Sequence, residues 1–126
     1  MTPTEHQIQS AVFDWRAKIV GQYPLLRWLH SIPNGMRATP EVGKWMVAEG
    51  LTRDVPDICL PVPVKRGWGH YCGLWIEVKT ETGRVRTGQR EWIDYLRKAG
   101  YRAEICRGVD AVIAEICEYL GIERGY

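Results

Sequence analysis

The stretch LWIEVKT, residues 74–80, sets two charges into a short apolar run, and few structures can accommodate it. Side chains alternate across a β-strand. Leu74, Ile76 and Val78 therefore share one face, suited to a core, and Trp75, Glu77 and Lys79 share the other. A carboxylate and an ammonium then stand side by side. A one-sided sheet that shows polar residues to water would account for this without chemistry, at the worth of a surface ion pair, under roughly 1 kcal/mol. The alternative is a reactive site, and it depends on what the rest of the chain brings to the same face.

The flanking sequence supplies alternating helices and strands. Ile8, Val12, Trp15 and Ile19 mark one face of a helix from about Pro3 to Ile19, with Thr2 as cap and Glu5 at the edge of that face. LLRWLHS reads as a strand near residues 25–31, and Asn34-Gly35 as a turn. Thr39 caps and Pro40 opens a second helix, carrying Val42, Trp45, Met46 and Glu49 and stopped by Gly50. VPDICLPV is a strand with Ile58, Leu60 and Val62 on one face and Asp57 on the other. Pro61 and Pro63 place its far end at an edge or bulge. The KRGWGHYCG segment joins it to LWIEVKT as a long hairpin. A third helix runs from Thr87 to Ala99, YRAEIC is the fourth strand, and VDAVIAEICEYLG is an amphipathic last helix with Val109, Val112, Ile113, Ile116 and Leu120 inward. The order αβαββαβα predicts an α/β fold, a mixed four-stranded sheet flanked by helices. The hairpin pair is antiparallel, and the crossover through the third helix gives a right-handed parallel unit.

At 126 residues, with no internal linker or repeat, the chain is expected to form one domain spanning 1–126. No apolar run approaches the roughly 20 residues of a membrane span, and MTPTEHQIQS lacks the character of a signal peptide, so a cytoplasmic protein is expected. Cys59, Cys72, Cys106 and Cys117 show no zinc-like spacing and read as buried reduced thiols. A formal net charge of +2 does not by itself argue for nucleic acid. Lys65, Arg66, Arg84, Arg86, Arg90, Arg97, Lys98, Arg102 and Arg107 nevertheless bracket the charged strand.

Two neighbouring antiparallel strands can point Asp57 and Glu77 to one face, with Lys79 two residues along. Two carboxylates and a main-chain carbonyl, for which Val78 is placed, are hard oxygen ligands suited to Mg²⁺ or Mn²⁺. A divalent ion so held can activate water toward phosphorus. Pro56-Asp57 followed by Glu77-Val78-Lys79 is the pattern of the PD-(D/E)xK nucleases. Together with VPDICLP, GLWIEVKTETGRV, Gln89 ahead of REWIDYLRKAGYRAEIC, and a helix ending in EYL, it resembles the virus-type replication-repair nuclease (VRR-NUC) domain, and stand-alone phage-encoded members in particular. The resemblance is close over residues 50–121; the first helix with Glu5 and the HSIPNG segment share it less specifically.

The resemblance implies a PD-(D/E)xK core in which Asp57 and Glu77 are metal ligands, Val78 lends its main-chain oxygen and Lys79 is the catalytic lysine. Gln89 would sit near the scissile phosphate, and Glu5 would reach the metal through water. It also implies hydrolysis of phosphodiester bonds in DNA, branched junctions as substrate, a homodimer, and no organic cofactor. Many members have a glycine where this chain has Asp54, which either alters the turn into the strand or adds an acid beside the metal. Plainer readings stand beside these. Gln89 suits a helix's first turn, Glu5 suits any helix N-terminus, and His30 and Asn34 suit a strand end and a turn. Trp15, Trp28, Trp45, Trp75 and Trp92 fall on apolar faces and read as core, while Trp68 reads as a loop anchor or a platform for a base. Other functions to be separated are a flap or nicking nuclease acting as a monomer, a catalytically silent DNA-binding module, and a protein-interaction domain.

Overall fold

The computed structural model describes residues 2–33, 39–67 and 69–125. Helix α1 spans Glu5–Ile19. Its cap is Thr4 rather than Thr2: the Thr4 hydroxyl accepts from the Gln7 N–H at 3.1 Å, and the Gln7 side chain returns a bond to the Thr4 N–H at 2.9 Å. This reciprocal pair satisfies two donors that Thr2 could not reach. The predicted strand at 25–31 is instead a 3₁₀ turn over Pro24–Trp28 followed by the two-residue strand β1, His30–Ser31. Pro24 begins the turn, and Leu26 and Leu29 bury on a spacing of three that a strand cannot offer. The Asn34-Gly35 turn lies outside the described residues.

Helix α2, Pro40–Ala48, has Thr39 as cap and ends at Gly50 with a φ of 106°. Strand β2 is Ile58–Leu60. The segment expected to be a plain hairpin loop forms its own small two-stranded sheet, β3 (Val64–Arg66) with β4 (Gly69–Tyr71). Strand β5 is Leu74–Lys79, α3 is Thr87–Lys98, β6 is Arg102–Arg107 and α4 is Val109–Leu120.

The main sheet has the order β1-β2-β5-β6 and is mixed, as expected. β2 pairs antiparallel with both β1 and β5, while β5 and β6 run parallel across the α3 crossover. Leu74, Ile76 and Val78 of β5 pack with Ile8, Val12 and Trp15 of α1 and with Val112, Ile113 and Ile116 of α4. The Tyr119 hydroxyl closes this layer with a buried 2.6 Å bond to the Val62 carbonyl. On the other face Ile93 and Leu96 of α3 pack with Ala103 and Trp75. The strand is thus covered on both sides, and Glu77 and Lys79 face protein where a one-sided sheet would have faced them to water.

Three expectations about burial change. Trp28 and Trp45 are 51% and 68% exposed, so neither is core, because the 3₁₀ turn and α2 present them outward. No residue of α2 is buried. Cys59, Cys106 and Cys117 are buried free thiols, but Cys72 is exposed, since it lies in the turn before β5 rather than in a strand.

Candidate metal centre and catalytic cleft

The register of the sheet builds the site. Ile58 faces Ile76 across the β2–β5 ladder, so the preceding Asp57 stands opposite Glu77. Asp57 is held at both ends: its carbonyl accepts from the Ile32 N–H at 2.8 Å, and its Oδ2 accepts from the Val78 N–H at 2.8 Å. Glu77 is buried, 2% exposed, and lies on the face covered by α3. There Gln89, in the first turn of α3, is buried as well. Its Oε1 accepts from the Arg86 N–H at 2.9 Å and its Nε2 donates to Glu77 Oε2 at 3.3 Å. The first-turn glutamine therefore both caps its helix and touches the site. The amide orientation follows from the two partners it serves.

Lys79 is 5% exposed, with its Nζ 3.9 Å from Glu77 Oε2 and 3.9 Å from Glu5 Oε2. Glu5 comes from the first residue of α1, so a distant segment supplies the third acid. Carboxylate oxygens of Glu5, Asp57 and Glu77 lie within 4.8 Å of one another. Burial, and then the neighbouring Asp57 carboxylate, push the Glu77 carboxyl up to about 9, while Lys79 pulls it down. A carboxyl so placed holds its proton at neutral pH unless a cation compensates its charge. The burial of Glu77 and Lys79 removes the surface ion pair as their explanation.

A cleft of about 370 Å³ exposes Glu5, Asp57, Glu77, Lys79, Gln89 and Arg86 together. A second groove of about 780 Å³ shares Glu5 and Asp57 and extends past His6, Gln9, Arg27 and His30. His30 is exposed at β1, its Nδ1 2.9 Å from the Trp28 carbonyl. Trp68 and Asn34 lie outside the described residues.

Asp54 is resolved as a turn residue. It has a φ of 69°, in the left-handed region that favours glycine. Its carboxylate is engaged by the Arg86 guanidinium, with Nε at 3.0 Å and Nη2 also bonded to Oδ1. Sequence reasoning did not connect these two residues, which lie 32 positions apart. The basic residues around β5 also divide in a way that sequence did not indicate. Arg97 pairs with Glu104 and Arg102 with Glu115 and Glu118. Arg107 donates to the carbonyls of Thr80 (2.8 Å) and Gly83 (2.7 Å), shaping the turn that leads to α3.

A mixed sheet that brings an aspartate, a buried glutamate and a buried lysine to one cleft defines a nuclease-type α/β domain. The chain belongs to the VRR-NUC domain family, which it matches over residues 4–110. A solved structure described as a VRR_NUC domain protein superposes with a TM-score of 0.73 at 28% identity, covering 97% of this chain and 92% of that one. No curated protein matches the chain. Membership gives a nuclease-type, DNA-processing function with DNA as substrate. Among the described residues no helix is long and apolar enough to cross a membrane.

Proposed function

We propose that the chain is a Mg²⁺- or Mn²⁺-dependent, structure-specific DNA endonuclease that hydrolyses phosphodiester bonds, with branched DNA such as a four-way junction as substrate. The observation that carries this reading is the convergence of Glu5, Asp57 and Glu77 within 4.8 Å beside the buried Lys79. The donor set is all oxygen and strongly acidic, which fits a hard divalent cation. Asp57, Glu77 and the main-chain oxygen of Val78 would hold it, with Glu5 reaching it through water. Such a cation supplies Lewis acidity, activating water and offsetting charge on the phosphate.

The remaining roles belong to the chain's own side chains. Lys79, held between Glu77 and Glu5, is placed to orient water or to stabilise the negative charge that builds on phosphorus. Gln89 steadies Glu77, and its amide would lie near the scissile phosphate. The larger groove through His6 and Arg27 offers a path for the DNA backbone leading away from the acids. We take residues 1–126 as one nuclease domain acting in the cytoplasm, of the phage-encoded kind. We also take it as a homodimer, since two sites related by a twofold would cut both strands of a branch.

The test is cleavage of a four-way junction, a 5′ flap and a linear duplex in MgCl₂, MnCl₂ or EDTA, by wild type, Asp57→Asn and Glu77→Gln. Paired, metal-dependent cuts in the junction, lost in both variants while binding survives, are expected. Cutting confined to the flap would replace the substrate and keep the chemistry. DNA binding with no cutting on any substrate would leave a silent binding module instead.

A further inference from the structure

Arg86 occupies the cleft without a catalytic assignment. It lines the same 370 Å³ space as Asp57, Glu77 and Lys79, and its side chain is 51% exposed. Lys79 is already flanked by two carboxylates and nearly closed off from solvent. Arg86 differs. Its Nε and Nη2 both donate to Asp54 Oδ1, while Nη1 has no partner among the described residues. A planar guanidinium held along one edge keeps its remaining donors pre-aimed, the arrangement suited to a phosphate oxygen.

The protein maintains this pair against two local costs. Asp54 sits at a φ of 69°, where a residue with a Cβ is strained. A side chain at the neighbouring helix position, Gly88, would displace the Asp54 carboxylate, because its Cβ would meet Asp54 Oδ2. An exposed ion pair retained only for stability would be a poor return on such constraints, since surface pairs contribute little. Arg86 also caps α3 through its N–H bond to Gln89, so its backbone is fixed next to the site.

We propose that Arg86 is a phosphate-binding residue for the scissile strand, and that Asp54 is the positioning residue that aligns it. This rests on the nuclease reading above and adds to it a contact with the DNA backbone at the metal centre. The ligand is a phosphodiester group, bound through the free edge of the guanidinium.

The experiment uses the full chain and a fluorescent four-way junction. Affinity in EDTA is followed by anisotropy across a salt series, and single-turnover cleavage is followed in MnCl₂. Arg86→Ala should weaken binding about tenfold, lower the slope of log affinity against log salt by about one, and slow cleavage. Arg86→Lys should recover the slope and part of the rate. Asp54→Gly keeps the positive φ and leaves the charge on Arg86; its salt slope and melting temperature should match wild type while cleavage slows about tenfold through lost alignment. An Arg86→Ala protein with wild-type affinity, salt slope and cleavage rate overturns the assignment and leaves the nuclease standing. So does an affinity loss restored by neither lysine nor a folded control. A wild type that neither binds nor cuts the junction, the flap or the duplex overturns both.

Discussion

At the scale of single residues, the decisive fact is where two charges are buried. Glu77 and Lys79 were legible as a pair on one strand face, but alternation cannot say whether that face meets water. Packing by α3 decides it, and burial turns an ordinary ion pair into a perturbed one. The direction has a measurable consequence. In the metal-free folded chain the Glu77 carboxyl titrates near 9, above its ordinary value of 4.5. Between those values the folded chain holds a proton that the unfolded chain has lost. The contribution to stability is therefore complete below the unfolded value and is lost as pH rises through about 9. A divalent ion needs the carboxylate, so binding near neutral pH should release about one proton. Calorimetric titration of MnCl₂ in buffers of different ionisation enthalpy should give that proton for wild type and none for Glu77→Gln. Lys79→Ala should lower the single-turnover cleavage rate by about 10²-fold or more while leaving DNA affinity near wild type. An unchanged rate would make Lys79 a spectator.

At the scale of elements, helix α3 matters most, because its first turn carries Gln89 to Glu77 and its cap residue meets Asp54. The helix itself was readable from Trp92, Ile93 and Leu96, and its start was expected at Thr87, as found. Its contact with the turn before β2 was not, since no local pattern links residues 54 and 86. The close approach of Gly88 makes this contact testable. Gly88→Ala should destabilise the fold by about 1–3 kcal/mol, because the new methyl meets a carboxylate anchored by Arg86. In an Asp54→Gly background the same change should be neutral or stabilising by up to about 1 kcal/mol, because alanine is the better helix residue. Thermal unfolding of the two single variants and the double variant reads the coupling directly. The 3₁₀ turn shows the opposite limit of sequence reading. LLRWLHS has enough apolar residues for a strand, but burial of Leu26 and Leu29 three apart selects a turn.

At the scale of the whole molecule, α2 stands out as a helix with none of its residues buried, leaving Val42, Trp45 and Val47 exposed. Val42 and Trp45 lie three residues apart on one face of the helix, and an exposed apolar patch is a common mark of an interaction surface. With the dimer proposed above, a second copy is its expected cover. Trp45→Glu should then shift the sedimenting species from dimer to monomer and replace paired junction cuts with single nicks. A monomeric wild type, or a variant that stays dimeric, would move the interface elsewhere. The αβαββαβα order, the mixed sheet and the residues Asp57, Glu77, Lys79 and Gln89 were all within reach of the sequence, because period, caps and a spaced motif are local properties written along the chain. What the tertiary structure alone decided was how remote pieces meet: Asp54 against Arg86, α3 over the charged strand face, and Trp28 and Trp45 turned outward. These follow from how layers close over one another and from which cations are already paired, and no window of sequence contains both partners of such contacts.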